Sequence, residues 1–351
     1  MGGERRSEYV FKGEGEEISL DDVYAAREIV SKHAKRTPVF TNETISSLAE
    51  RELSFKMEVF QKTGSFKIRG ALNAIFSLSD EEAANGVVTH SSGNHAQATA
   101  LAAKLRGIPA YIVVPENAPK VKVKAIRGYG GQITFCGLTM QDREDACNKI
   151  QSEKGCTFVA PFNQKETICG QATIGLELME QTDCGLDAIV VPISGGGMTS
   201  GIAIAAKSLN PNIKIIAAEP RGVNDAADVH KSKCAGELQV DAAKPKTLAD
   251  GLQAKMGNLT WAVVKELVDD VIVVSEEEIV QAMQLIYERM KVVVEPSAAV
   301  GVAATLSEEM RQKFDKSEYR NVGVILCGGN ADFSAVGFWD AWTKRWKSFA
   351  S

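Results

Sequence analysis

One lysine of the sequence stands between apolar residues, in the segment SFKIRGA at the predicted start of a helix. Apolar surroundings lower the pKa of an ammonium group, and the neutral amine of Lys67 would be a nucleophile able to form a Schiff base. Most lysines are only solvated surface charges, so this segment alone leaves both interpretations open. Motifs elsewhere in the chain have to decide between them.

A glycine-rich turn follows the apolar run AIVVPI and precedes the helical run TSGIAIAAKSL. Its residues are Ser194, Gly195, Gly196, Gly197 and Met198. The N–H groups of a first helical turn point outward and attract phosphate, so the turn is a candidate phosphate site. An ordinary glycine turn is the alternative. The pattern is neither G-x-G-x-x-G nor a P-loop, which argues against a dinucleotide or NTPase site.

A polar turn follows the predicted strand VVTH and leads into an alanine-rich helix. Its residues are Ser91, Ser92, Gly93, Asn94 and His95. Two hydroxyls, an amide and the N–H groups of a helix start suit a substrate carboxylate and a ring oxygen of a cofactor. A helix N-cap is the alternative, but it accounts for only one of these residues. We expect His95 to pack in this loop and not to act as a general base.

An acidic loop, EPRGVND, follows the predicted strand IKIIAA. Glu219 and Asp225 place two carboxylates and a backbone carbonyl within one turn, and such oxygen ligands suit Mg²⁺ or Ca²⁺. A loop whose acidic residues are only solvated is the alternative.

The elements that carry these turns alternate in type. From Val87 onward, short β-rich runs alternate with helical stretches, which predicts βαβ units and parallel sheets covered by helices on both faces. We predict an α/β protein with two such sheets, a large domain of residues 1–79 and 160–351, and a small inserted domain of residues 86–157. Ligands of open α/β sheets bind beyond the carboxyl ends of the strands, where the turns cluster.

The two ends of the chain carry separate expectations. The residues before about Glu17 resemble a frayed polar arm, and the tryptophan-rich segment FWDAWTKRW predicts a terminal amphipathic helix or a packing lid.

The composition excludes several classes of protein. The 351 residues carry a formal net charge of -5 without a basic stripe, which argues against nucleic acid as a partner. Seven cysteines without a C-x-x-C pair indicate reduced thiols in a cytoplasmic protein. No apolar run is long enough to span a membrane.

Four motifs in order, SFKIRGA, SSGNHAQA, SGGGM and CGGN, resemble those of the fold-type II pyridoxal phosphate enzymes, the tryptophan synthase β-like group that includes serine racemases and serine/threonine dehydratases. The resemblance runs from about Ser19 to about Phe333. It implies two open twisted parallel-sheet domains flanked by helices, and pyridoxal 5′-phosphate as the cofactor.

The resemblance also implies a role for individual residues. Lys67 would carry the cofactor as a Schiff base, and the turn from Ser194 to Met198 would hold its phosphate. Asn94 would bond the phenolic oxygen, Asn163 would lie near the ring, and Cys327 would face the pyridine nitrogen where racemases usually have serine. The substrate would contact the loop of Ser91, Ser92, Gly93, Asn94 and His95, and Arg143 would approach its carboxylate.

The implied activity is the interconversion of L- and D-serine, accompanied by β-elimination to pyruvate and ammonia. Inversion needs one proton-transferring group on each face of the α-carbon, and Lys67 and Ser92 would supply them. Dehydratases of the group commonly have alanine in place of Ser92, although a serine there could also just bond the loop backbone. A dedicated serine or threonine dehydratase and a regulatory amino-acid sensor without turnover are the alternatives. Threonine and hydroxyaspartate remain possible substrates.

Two further ligands follow from the resemblance. A divalent cation, Mg²⁺ or alternatively Ca²⁺ or Mn²⁺, would bind Glu219, the carbonyl of Val223 and Asp225. ATP would bind as an activator at the interface of a homodimer, but Asn42 and Glu43 replace two serines expected there, and a carboxylate near phosphate is unfavourable. The residues that match the nucleotide site are Lys62, Thr63, Gln97, Lys122, Tyr129, Lys291 and Asn330.

Overall fold

The computed structural model describes residues 10–13, 16–239 and 243–332. The strands in this part of the chain are β1 (Val10–Gly13), β2 (Glu16–Ser19), β3 (Val39–Phe40), β4 (Glu52–Lys56), β5 (Val87–His90), β6 (Ala110–Pro115), β7 (Gln132–Cys136), β8 (Thr157–Phe158), β9 (Ala188–Pro192), β10 (Lys214–Pro220), β11 (Asp270–Val274) and β12 (Asn321–Ile325). The α-helices are α1 (Leu20–His33), α2 (Glu43–Ala49), α3 (Lys67–Phe76), α4 (Asp80–Ala83), α5 (Asn94–Arg106), α6 (Lys120–Gly128), α7 (Met140–Lys154), α8 (Lys165–Gln181), α9 (Gly197–Leu209), α10 (Asp228–Ala235), α11 (Asn258–Leu267), α12 (Glu276–Leu285), α13 (Pro296–Leu306) and α14 (Glu308–Lys313).

A six-stranded sheet has the order β11-β10-β9-β12-β4-β3. All of its neighbouring strands run parallel except the edge pair of β3 and β4. Every residue of β9 is buried, as expected for a central parallel strand covered by helices on both faces.

A four-stranded parallel sheet has the order β7-β6-β5-β8 and is built from residues between Val87 and Phe158. With the six-stranded sheet, it confirms the predicted α/β class with two largely parallel sheets. The division of the chain into domains at the predicted residues stays a prediction.

The prediction of a frayed N-terminal arm was wrong for residues 10–13 and 16–17, and its other residues lie outside the described ones. Strands β1 and β2 pair in antiparallel register, with Phe11 opposite Ile18, and both side chains are buried in the main hydrophobic core. The buried side chains of Phe11 and Ile18 therefore attach this hairpin to the main hydrophobic core. The tryptophan-rich segment lies outside the described residues.

Helix α3, which begins at Lys67, packs against α8 on one side and α5 on the other. The contact with α8 is backbone to backbone, because a Cβ atom added at Gly170 would lie 2.6 Å from the Cα atom of Gly70. Only glycine permits this approach. This contact of Gly70 with Gly170, which we call the glycine seam, fixes α3 against α8 and thereby fixes the backbone of Lys67.

A buried network of charges holds the same helix from its polar side. Arg69 bonds Glu58 at 2.8 Å and Glu177 at 2.7 Å, and Lys56 bonds Glu177 at 2.6 Å. Burial opposes the charge of the Arg69 guanidinium, but the two carboxylates outweigh it and raise its pKa. Charges buried in this way are stable only while every partner is present.

The strands present their carboxyl ends to the predicted functional turns. The polar turn follows β5, the glycine-rich turn follows β9, the acidic loop follows β10 and the CGGN segment follows β12. Within the described residues, no helix is both long and apolar enough to cross a membrane.

We predict that Arg69→Met lowers the free energy of unfolding by about 3–5 kcal/mol, because it leaves two buried carboxylates short of a partner. Equilibrium urea unfolding followed by circular dichroism measures the change. The matched control is Arg27→Met, which removes an exposed pair with Glu180 and should cost less than about 1 kcal/mol. Equal losses in the two variants would contradict the prediction.

Candidate active site

Lys67 presents a partly buried amine at the start of α3. Its Nζ donates a hydrogen bond of 2.8 Å to the carbonyl oxygen of Pro161. Burial lowers the pKa of this amine to about 8, although Cys327 and Glu295 act in the opposite direction. A substantial fraction of the amine is therefore neutral at mildly basic pH, and the neutral form is the nucleophile.

The glycine-rich turn is preformed at the N-terminus of α9. Gly196 has φ 88°, a left-handed conformation that suits glycine, and the helix begins at Gly197. The Thr260 hydroxyl donates to the Gly195 carbonyl at 2.8 Å, and a Cβ atom at Gly195 would lie 2.6 Å from the Phe162 ring. The first N–H groups of α9 lack intrahelical acceptors, so they can bind an anion. This geometry supports the phosphate interpretation of the turn.

The two serines of the polar turn differ in their bonding. Ser91 belongs to the loop structure, since its hydroxyl accepts from the Gly93 N–H at 3.3 Å and its own N–H donates to Val113. The Ser92 hydroxyl, in contrast, forms no hydrogen bond with any residue of the described chain. Ser92 is therefore available for a ligand and is not needed to hold the backbone.

Asn94 connects this turn to the loops of the large sheet. Its Nδ2 donates to Glu295 at 2.9 Å, and its Oδ1 accepts from Asn330 at 2.8 Å. The backbone N–H of Asn330 also donates to Glu295, at 3.1 Å. The Nδ2 atom lies within hydrogen-bond distance of both Glu295 oxygens, so the amide is oriented by the protein.

Glu295 is the main residue that the sequence analysis missed. It is buried directly before α13, and burial raises the pKa of its carboxyl to about 6. It also acts electrostatically on both Lys67 and Cys327, so it lies close to the candidate reaction centre. The signal was the pair Glu295-Pro296 after the apolar run VVV, because proline favours the first position of a helix and the acid before it is then at a helix start.

Cys327 is buried just after β12. Burial, reinforced by the nearby Glu295 carboxylate, raises the pKa of its thiol well above the ordinary value. The side chain is therefore a neutral thiol, which can donate only a weak hydrogen bond.

His95 is buried, and its Nε2 lies 3.1 Å from the Thr89 hydroxyl and 3.2 Å from the Val159 carbonyl oxygen. Burial, with a contribution from Lys67, lowers the pKa of its imidazole to about 3. The ring is neutral, and its Nε2 lies within hydrogen-bond distance of protein groups, while its Nδ1 is buried without a partner among the described residues.

Arg143 lies in the first turn of α7, on the side of the small sheet. Its Nε is buried without a hydrogen-bond partner, and it forms no ion pair with a carboxylate in the described part of the chain. A guanidinium in this condition fits the predicted role towards a substrate carboxylate.

Asn163 is hydrogen-bonded to the first turn of helix α11. Its Nδ2 donates to Asn258 at 2.9 Å, and its Oδ1 accepts from the Thr260 N–H at 3.2 Å. Since Thr260 also holds Gly195, the structure joins Asn163 to the candidate phosphate turn.

The two carboxylates of the acidic loop lie in different environments. Glu219 is buried and accepts from the N–H groups of Val229 and His230, at 3.0 and 2.8 Å. Asp225 is exposed beside Lys231, and Val223 is also exposed. Across the described residues, no group of three or more His, Cys, Asp or Glu side chains is placed to hold a metal ion.

Asp228, which the sequence analysis did not single out, is the buried neighbour of Glu219. The two carboxyl groups contact each other, and burial raises both of their pKa values, that of Glu219 to about 8. No sequence signal distinguishes Asp228 from an ordinary first-turn acid of a helix.

The residues matched to a nucleotide site are only partly brought together. Asn330 donates to the Thr63 carbonyl oxygen at 2.7 Å, and the Thr63 hydroxyl is buried without a partner. Lys122 is instead paired with Asp250. Of the others, Lys62 lies beside Thr63, Gln97 is buried in α5, Tyr129 follows α6, and Lys291 donates to the carbonyl oxygen of Glu288.

Comparisons with known proteins agree with this geometry. Residues 30–328 match the sequence profile of the family described as pyridoxal-phosphate dependent enzyme. The chain is 50% identical over 327 residues to the serine racemase of Oryza sativa subsp. japonica, which covers 92% of this chain and 94% of that protein. It is 49% identical over 320 residues to the serine racemase of Dictyostelium discoideum, with 91% and 97% covered. The structure of maize serine racemase matches with a TM-score of 0.91 and 48% identity, over 95% of this chain and 99% of that one.

The matched profile includes the partly buried lysine, the polar turn, the glycine-rich turn and the buried thiol, which the fold gathers at the carboxyl ends of its strands. The chain belongs to the family of pyridoxal-phosphate dependent enzymes, with the fold-type II architecture.

Proposed function

We propose that this enzyme interconverts L- and D-serine and also eliminates water from serine to give pyruvate and ammonia. The observation that carries the proposal is the free hydroxyl of Ser92, in a turn whose other serine is committed to the backbone. With the amine of Lys67, whose pKa is about 8, it gives the site two groups that can exchange a proton. The similarity to serine racemases of plants and Dictyostelium supports the same assignment.

The described residues fit pyridoxal phosphate. Lys67 would bind its carbonyl carbon, the turn from Ser194 to Met198 would bind its phosphate, and Cys327 would face its ring nitrogen. The close contact of Gly195 with Phe162 supports this fit, since a side chain there would fill the cradle. Asn94 would bind the phenolic oxygen of the cofactor, and Asn163 would lie near its ring. When bound, the cofactor supplies an electron sink conjugated to the α-carbon of the amino acid.

The protein's own groups would then move one proton at that carbon. Once the substrate's own amino group has taken the place of Lys67, the freed Lys67 amine would take the α-proton on one face, and the Ser92 hydroxyl would give a proton on the other, which inverts the centre. Loss of the β-hydroxyl group in place of reprotonation gives elimination. Arg143 would hold the substrate carboxylate during both reactions, because its guanidinium has no carboxylate partner in the described chain.

Several features beyond the reaction centre belong to the same proposal. We take residues 86–157 as a small domain that closes over the substrate, with the large domain formed by residues 1–79 and 160–351. We also propose a homodimer and a divalent cation at the loop of Glu219, Val223 and Asp225, where the cation would stabilise the fold and take no part in bond breaking. ATP binding is the least supported of these ideas, because Lys122 is already paired and Glu43 would face phosphate.

The decisive assay supplies L-serine, threonine or hydroxyaspartate and measures both products. From L-serine we expect D-serine by chiral chromatography, together with pyruvate. Lys67→Ala should lose both products and the visible absorbance of bound cofactor, whereas Lys149→Ala, on the outer face of α7, should keep them. Pyruvate without D-serine would show a dedicated dehydratase, and an unchanged ligand response in Lys67→Ala would show a sensor.

We predict that Ser92→Ala loses racemisation but keeps elimination from L-serine, because only the proton donor of the second face is removed. A loss of about 10²-fold or more in the racemisation rate is expected for a positioned proton-transfer group. Ser91→Ala is the matched control and should leave the ratio of the two products unchanged. An equal fall of both reactions in Ser92→Ala would assign this serine to binding.

The lowered pKa of Lys67 predicts how cofactor-free protein takes up pyridoxal phosphate at different pH values. The neutral amine attacks, so the rate should rise with pH below about 8 and level off above it, while an ordinary lysine would continue to about 10.4. Stopped-flow absorbance between about pH 6 and about pH 10 measures it. Nα-acetyl-lysine, whose only amine is the side chain, is the control and should show no plateau near about pH 8. A protein rate that follows this control would refute the assignment of this pKa.

A further inference from the structure

The hydroxyl group of Thr260 is buried beside the glycine-rich turn, where it both donates and accepts a hydrogen bond. Its Oγ1 donates to the carbonyl oxygen of Gly195 at 2.8 Å. The same atom accepts from the N–H of Gly257, directly before α11, at 3.1 Å. The Gly257 carbonyl oxygen also lies 3.1 Å away, but the single hydroxyl proton favours the shorter contact. This hydroxyl therefore links the first turn of α11 to the turn before α9.

The backbone of Thr260 contacts neighbouring parts of the same site. Its N–H donates to the Asn163 Oδ1 atom at 3.2 Å, and its carbonyl oxygen accepts from the Ser200 hydroxyl of α9 at 3.3 Å. A Cβ atom on Gly196 would lie 2.9 Å from the Thr260 Cβ atom, so the glycine-rich turn packs directly on this side chain. The two backbone bonds are open to any residue at this position, whereas the bond to Gly195 depends on the hydroxyl.

The bond to Gly195 also sets the direction of the next N–H group. The atoms of a peptide bond lie in one plane, and in the trans form the carbonyl oxygen of one residue and the N–H of the next point in opposite directions. Because the Gly195 oxygen is held towards Thr260, the Gly196 N–H points away from Thr260. Both residues of this peptide are glycines, which restrict its rotation least.

We propose that Thr260 is a positioning residue for the cofactor, because its hydroxyl orients the peptide between Gly195 and Gly196 so that the Gly196 N–H can bind the phosphate group. This role rests on the phosphate site proposed above and adds what holds that site in its binding conformation. N–H groups at a helix start bind a phosphate when they point towards it. A peptide that is already oriented loses little freedom on binding, so the hydroxyl should raise the affinity for the phosphate without touching it.

The test compares two aldehydes, pyridoxal phosphate and pyridoxal, of which only the first carries a phosphate group. The full-length protein is freed of cofactor, and the dissociation constant of each aldehyde is measured from the visible absorbance of its bound form. Thr260→Val keeps the size of the side chain but removes the hydroxyl, and it should weaken the binding of pyridoxal phosphate about tenfold. The binding of pyridoxal should stay unchanged, because it has no phosphate for the turn to hold.

Three further variants make the comparison specific. Thr260→Ser keeps the hydroxyl and should bind pyridoxal phosphate within about threefold of the wild-type protein. Thr305→Val removes another buried hydroxyl, which donates to the Gly301 carbonyl oxygen at 2.8 Å within α13, and it should change neither dissociation constant. Gly196→Ala places a side chain against Thr260 at a left-handed position of the turn, and it should lose the preference for the phosphorylated aldehyde.

Three results would overturn the role of Thr260. They are an unchanged affinity for pyridoxal phosphate in Thr260→Val; equal weakening of both aldehydes, which would show a structural role alone; and a Thr260→Ser variant as weak as Thr260→Val, which would assign the effect to the methyl group. If Thr260→Val does not fold, Thr260→Ala takes its place in the same comparison.

The outcomes also separate this role from the proposals on which it rests. If Gly196→Ala loses the preference for the phosphorylated aldehyde while Thr260→Val keeps it, the phosphate site stands and the role of Thr260 fails. If Gly196→Ala keeps the preference, the phosphate site itself fails, and the role of Thr260 fails with it. Racemisation by the wild-type protein is assayed in parallel, so that failure of the proposed function is recognised independently.

Discussion

The carboxylate of Glu295 is the interaction on which the candidate site depends. It accepts hydrogen bonds from the side-chain amide of Asn94, just after β5 of the small sheet, and from the backbone N–H of Asn330, just after β12 of the large sheet. A single buried acid therefore fixes the relative position of two loops that come from different sheets. Because it is buried and partly compensated by neutral donors, its charge also acts on the amine and the thiol next to it.

Burial sets the protonation state of the reactive groups, because it favours the neutral form of each. It lowers the pKa of the amine and the imidazole and raises the pKa of the thiol. It makes the Lys67 amine easier to deprotonate, keeps the Cys327 thiol neutral and prevents His95 from accepting a proton at neutral pH. The ring nitrogen of the cofactor would face a weak neutral donor and not a carboxylate, which limits how far charge can be withdrawn from the α-carbon. The described residues thus include an amine with a lowered pKa at Lys67 and, in the polar turn, an unbonded hydroxyl at Ser92.

Much of this was predictable from the sequence because it depends on local patterns. The alternation of apolar strands with helices predicted both sheets, and the glycine run predicted the turn at the N-terminus of α9, since both signals lie within about a dozen residues. Glu295 and Asp228 were missed because their importance comes from long-range contacts, with Asn94 and with Glu219. The hairpin of β1 and β2 was missed since only Phe11 and Ile18 mark it within a charged stretch.

The glycine seam between α3 and α8 has a consequence for engineering. Any side chain larger than hydrogen at Gly70 or Gly170 would force these helices apart and shift the reactive amine relative to the large sheet. Attempts to broaden the range of amino acids accepted should therefore conserve this seam as a rigid foundation.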